Sequence, residues 1–229
     1  QGGGFPSPCV YFAAFGCKKH DPEETKGMNI KEIEDRLKGR PVGTIDKHRF
    51  FSVTIPLVEK PEGLCLLFEV RSPKLKSQPG DICFPGGKIE EGESPQECAL
   101  RETQEETGIP ASQVRILGQF DTLYSFSGYT LYTFPASIDE GDLKAARINR
   151  DEVQELFTVP LDFFRENEAQ IYDVDVLSDV KDFPYEEAGI SPSYNWRKGK
   201  NILPVYKYGE RVIWGVTARI VRGFVKKMT

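Results

Sequence analysis

Apolar and β-branched residues dominate from Phe50 to Val58 and again from Leu64 to Val70, with Pro61-Glu62-Gly63 between them. The pattern predicts a β-hairpin. A short run, Ile82 to Phe84, leads into Pro85-Gly86-Gly87, and the following stretch, Ser94 to Thr107, is rich in Glu, Gln, Ala, Leu and Arg and stops at Gly108. This predicts strand, loop and helix, with Gly108 as C-cap. Further strands are predicted at Val114–Phe120, Thr130–Ala136, Val153–Val159, Ile171–Val176, Ile202–Tyr206 and Arg211–Trp214. A last helix over Gly215–Lys227 turns Val216, Ile220, Val221 and Phe224 to one side. The order of elements predicts an α+β fold, a mixed β-sheet sandwiched between α-helices.

The first 27 residues differ in character, with a GGG run, two early cysteines and a charged string from Lys18 to Lys26. After Met28, the residues Ile30, Ile33 and Leu37 recur at helical spacing. We therefore expect residues 1–27 to be an N-terminal extension, with Met28 as the native start, and residues 28–229 to form one domain. The stretch 177–201 has no recognisable pattern. It is longer than a compact domain usually leaves unstructured, which makes it a candidate flap beside a substrate.

At 229 residues, 39% hydrophobic and 28% charged, the chain can bury a real core. No apolar run reaches the roughly 20 residues of a bilayer-spanning helix, so no membrane partner is expected. The formal charge of −5 supplies no basic field for nucleic acid. Five cysteines, none in CxxC spacing, suit free thiols in a reducing compartment, and the expected location is cytoplasmic. With His20 and His48 the only histidines, a zinc site or a Ser-His-Asp triad has almost no raw material. The chemistry must run on carboxylates.

On a helix at about 100° per residue, Glu102, Glu105 and Glu106 share one face. Like charges three and four residues apart destabilise a bare helix by a few tenths of a kcal/mol per pair, so the face is costly unless a cation sits on it. A solvated acidic face is the alternative, and for an arbitrary helix it is the commoner case. The surroundings reverse that preference. Gly87, five residues, Glu93, seven residues, then Arg101-Glu102-Thr103-Gln104-Glu105-Glu106-Thr107-Gly108-Ile109 resembles the Nudix box at full spacing over residues 87–109. An accidental match is on the order of one in a million. Thr103 stands where the box usually has an aliphatic residue.

The resemblance implies a Nudix fold and hydrolysis of a pyrophosphate linkage aided by Mg²⁺ or Mn²⁺. It implies Glu102 and Glu106 as metal ligands, Glu105 as a third ligand or the base that orients water, and the Gly86 carbonyl as a further ligand. Arg101 and Glu93 are expected to hold the loop by an ion pair, and Gly87 to let a phosphate approach the backbone. Glu152 and Glu155 are candidates for an assisting carboxylate outside the box.

Upstream, the run from Leu66-Leu67 through Arg71-Ser72, Lys76 and Gly80 to Phe84-Pro85-Gly86-Gly87 resembles the signature of the coenzyme A diphosphatase branch, with Lys76 in place of its Arg. The segments Asp151–Leu161 and Ile213–Ala218 also look like this branch. It implies coenzyme A or an acyl derivative as the small-molecule substrate, split to 3′,5′-ADP and (acyl-)4′-phosphopantetheine. Arg71 and Lys76, with Lys74 nearby, are the candidates for binding the substrate's extra phosphate. Alternatively, Arg71 serves a structural carboxylate. The other functional readings are a Nudix pyrophosphatase acting on ADP-ribose or NADH, and an inactive nucleotide-binding module. The expected assembly is a monomer or homodimer.

Overall fold

The computed structural model describes residues 28–228. The expected extension at residues 1–27 lies outside them. The chain separates into two units, one through Ile45 and one from Asp46 onward. In the first, α1 (Ile30–Leu37) starts at a reciprocal cap: Asn29 accepts from the Glu32 N–H while Glu32 accepts from the Asn29 N–H.

The second unit holds eleven strands: β1 (Arg49–Lys60), β2 (Gly63–Arg71), β3 (Ile82–Cys83), β4 (Gly86–Lys88), β5 (Arg115–Ile116), β6 (Leu123–Ser125), β7 (Tyr129–Ser137), β8 (Val153–Pro160), β9 (Gln170–Val176), β10 (Gly199–Tyr208) and β11 (Arg211–Trp214). Its helices are α2 (Pro95–Thr107), α3 (Glu140–Ala145), α4 (Leu161–Glu166) and α5 (Gly215–Met228). The main sheet runs β3-β2-β1-β7-β5, with β4 on β1, β6 on β7 and β8 on β2. It is mixed, because β1 and β7 pair in parallel and the other pairs are antiparallel. Strands β11, β10 and β9 form a second, antiparallel sheet.

Alternation along β2 explains the layers. Leu66, Phe68 and Val70 face a core shared with Ile220, Val221 and Phe224 of α5, whereas Leu67 faces a second core shared with Leu100 of α2. The sheet is therefore covered by helices on both faces, as the order of elements predicted. Burial on both faces also explains why β1 reads as a nearly continuous apolar run.

The sequence reading overextended one strand. The run Val114–Phe120 pairs as a strand only over Arg115–Ile116. Leu117 still donates to the Pro135 carbonyl at 2.8 Å, but Pro135 has no N–H to return the bond, and the ladder stops. The short elements β4, β6, α3 and α4 were not predicted, since runs of three to six residues carry no readable period. In the variable stretch, residues 177–198 form no strand or helix, and 199–201 begin β10. Phe183, Tyr185, Tyr194 and Trp196 pack edge to face there, and the Trp196 Nε1–H donates to the Tyr185 hydroxyl.

Candidate active site

Local signals position α2. Ser94 accepts from the Glu97 N–H, Glu97 accepts from the Ser94 N–H at 2.8 Å, and Pro95 occupies the first turn, where its missing N–H costs nothing. The helix ends at Gly108, whose φ of 71° favours glycine. Thr103 is fully buried, with its hydroxyl bonded to the Ala99 carbonyl and the Thr54 hydroxyl of β1. Its polar atom is satisfied and the helix lies close on the sheet.

The loop opposite is equally constrained. β4 lies against β1, with Gly87 beside Ser52 and Gly86 beside Val53. A Cβ on Gly86 would come within 2.3 Å of the Ser52 carbonyl oxygen, and one on Gly87 within 2.3 Å of the Glu102 carboxylate. At Gly86 only glycine permits this approach of loop to strand, while at Gly87 a larger residue would displace the Glu102 carboxylate.

The three glutamates of the acidic face occupy different surroundings. The Glu105 side chain is 52% exposed and that of Glu102 16%, while Glu106 is buried. Arg101 gathers the outer ones, donating to Glu102 at 2.8 Å and to Glu105 at 3.0 Å. Its other edge grips both oxygens of Glu93 at 2.8 and 3.0 Å and reaches the Lys88 carbonyl, tying the loop to the helix. Arg101 pulls the Glu93 carboxyl down to about 2 from the ordinary 4.5. A depressed value contributes stability that is present above 4.5 and lost as pH falls toward 2. The melting temperature of the parent should therefore fall more steeply between these pH values than that of Glu93→Gln. Parallel curves would contradict this coupling.

Glu106 accepts from the Gly86 N–H at 2.8 Å, and burial together with the neighbouring Glu69, Glu102 and Glu152 charges pushes its carboxyl well above the usual range. Glu69 is the residue that sequence reasoning missed. It sits in β2, 1% exposed, with one carboxylate oxygen taking the Cys83 thiol at 3.1 Å and the other without a hydrogen-bond partner. Burial raises its carboxyl and, helped by Glu69, also raises the Cys83 thiol. The available signal was one acid inside the apolar run Leu64–Val70.

Such a donor set, all oxygen and short of positive charge, fits a hard divalent cation. As the side chains stand, no three acidic, histidine or cysteine side chains converge on one point among the described residues. Arg101 holds the Glu102 and Glu105 carboxylates on one nitrogen of its guanidinium.

A cavity of about 440 Å³ opens beside Gly86, with Arg49, Arg71, Phe51, Tyr129 and Trp214 in its lining. Arg71 makes no ion pair within 4.0 Å with a described residue, and its Nε is buried without a hydrogen-bond partner. One weak bond runs from its Nη2 to the Ser77 carbonyl at 3.4 Å, and Asp81 lies in the same cavity. Lys76 does not line this cavity, and Lys74 pairs with Asp151 at 2.8 Å on the surface. Glu155 is engaged by Arg211, at 2.7 Å, whereas the Glu152 charge acts on Glu69, Glu102 and Glu106. None of residues 177–201 lines the cavity.

Comparison with known proteins places this geometry in context. Residues 48–180 match the NUDIX domain. The chain is 39% identical over 147 residues to the mouse "Peroxisomal coenzyme A diphosphatase NUDT7" and 36% identical over 146 residues to "Nudix hydrolase 3" of Caenorhabditis elegans. Each match covers 62% of this chain, and it spans 61% and 60% of those two relatives. It is 33% identical over 183 residues to the "Uncharacterized Nudix hydrolase NudL" of Yersinia enterocolitica, covering 77% of this chain and 80% of that one. Among solved structures, a MutT/nudix family protein from Enterococcus faecalis aligns with a TM-score of 0.49 at 16% identity, over 88% of this chain and 70% of that one. With the domain match spanning more than half of its 229 residues and the box intact on α2, the chain belongs to the Nudix family.

Proposed function

We propose that the chain hydrolyses the pyrophosphate linkage of coenzyme A or an acyl-coenzyme A, releasing 3′,5′-ADP and (acyl-)4′-phosphopantetheine. The observation that carries this reading is the cavity beside Gly86, where the Arg71 guanidinium stands without a carboxylate partner within 4.0 Å. Coenzyme A brings a phosphate beyond the pyrophosphate, and such a guanidinium is suited to receive it. Likeness to the mouse diphosphatase supports the same substrate class.

Glu102 and Glu106, with Glu69 beneath them, are the side chains that would hold Mg²⁺ or Mn²⁺. A divalent ion bound there supplies Lewis acidity toward phosphoryl oxygens and makes water a better nucleophile. Glu106 anchors the Gly86 N–H, so the acidic face and the loop under the substrate keep one spacing. Glu105, exposed at the rim, would orient a water molecule and take its proton. Gly87 lets the Glu102 carboxylate lie against the loop backbone.

Mn²⁺ should raise the melting temperature, by a free energy of about 2.7 kcal/mol at a hundredfold excess over Kd. The shift should vanish in Glu106→Gln. An equal shift in that variant would place the ion elsewhere.

ADP-ribose and NADH lack the additional phosphate and would leave Arg71 unused. Across coenzyme A, ADP-ribose and NADH, kcat/KM should be highest for coenzyme A. A higher value for ADP-ribose would overturn the substrate assignment and leave the hydrolase reading standing. Absence of turnover on every member of the panel would favour a nucleotide-binding module.

A further inference from the structure

The cavity beside Gly86 shares Ile220 with a second cavity. Along β7, Tyr129, Leu131 and Thr133 alternate and share one face. Tyr129 and Leu131 line the first cavity, and Thr133 lines the second, of about 280 Å³. On the facing helix α5, Val216, Ile220 and Gly223 form one stripe. Val216 borders the first cavity, Gly223 the second, and Ile220 both. Leu123 of β6, the register partner of Leu131, completes the wall with Phe120. A groove therefore runs along α5 away from Glu102 and Glu106, with Phe120, Leu123 and Ile220 as apolar wall and Asp121, Thr122, Thr133 and Arg219 as polar wall.

We propose that this groove holds the pantetheine arm of the substrate and any acyl chain on its sulfur. The assignment rests on the substrate reading above. With the pyrophosphate at Gly86, the nucleotide lies on the Arg71 side and the arm on the Ile220 side. The arm is thin and flexible and carries two amides, which matches a channel that sets polar side chains beside apolar ones. Arg219 lines the second cavity, is partly buried, and makes no hydrogen bond or ion pair with a described residue. It is placed to donate to an amide carbonyl of the arm. Phe120, Leu123 and Ile220 offer an acyl chain apolar surface beyond it.

Gly223 provides the test. A Cβ there meets nothing within 4 Å, and its φ is not in the left-handed region, so a larger residue fills the groove without strain in the helix. Gly223→Leu should raise KM for octanoyl-coenzyme A at least about tenfold, and Gly223→Ala should change it little. Inhibition by 3′,5′-ADP, which has no arm, should be the same in both variants and the parent. Leu123→Ala, which widens the same channel, should shift preference toward longer acyl chains. An unchanged KM in folded Gly223→Leu, equal weakening of 3′,5′-ADP, or no chain-length shift in Leu123→Ala would each overturn the groove assignment and leave the substrate reading intact. A parent protein that cleaves neither coenzyme A nor its esters overturns both.

Discussion

Glu106→Gln is expected to lower kcat by at least ~10²-fold while leaving the metal-free protein at least as stable as the parent. The two halves share one cause. Glu106 is buried among Glu69, Glu102 and Glu152, so its charge is costly without a cation and useful with one. Glutamine keeps the shape and can still accept from the Gly86 N–H, but it brings no charge to a divalent ion. Loss of a positioned charge-stabilising group typically costs ~10²-fold or more. Glu105→Gln should lower kcat on a similar scale for a different reason, because an exposed amide cannot take a proton from water. Stopped kinetics beside a melting curve separate these effects from unfolding. Near-normal turnover in both variants would refute the assignment of this face.

The second large effect is selective. Arg71→Ala should raise KM for coenzyme A but hardly change it for dephospho-coenzyme A, which lacks the 3′-phosphate. Losing a charge-assisted contact costs roughly 1.5 to 3 kcal/mol, or about ten- to a hundredfold in kcat/KM for the full substrate. A structural Arg71 would penalise both substrates alike and lower stability. Equal losses on the two substrates would end the 3′-phosphate role without touching the carboxylate site.

Much of the candidate site was legible because its parts are consecutive. Ser94, Glu97 and Gly108 mark the ends of α2, and helical spacing alone puts Glu102, Glu105 and Glu106 on one side. Spacing did not reveal that Arg101 would divide them into paired outer acids and a buried inner one. The cavity was largely illegible. Arg49 and Tyr129 come from paired strands eighty residues apart in sequence, and Trp214 from the end of β11, so only the fold brings them together. Glu69 was hidden differently, as a single acid in an apolar strand whose face is set by the strand's register. Pro135 shows the same limit for the sheet, because its effect falls on the partner β5.

On the proposed function, this acidic face hydrolyses a coenzyme A pyrophosphate with help from a divalent cation. Mass spectrometry of the products after incubation with coenzyme A and Mg²⁺ or Mn²⁺ tests it most directly. 3′,5′-ADP and 4′-phosphopantetheine are expected in equal amounts, formed by the parent with metal and absent with chelator or with Glu106→Gln. Intact coenzyme A after incubation, or the same products from Glu106→Gln at the parent's rate, would contradict it.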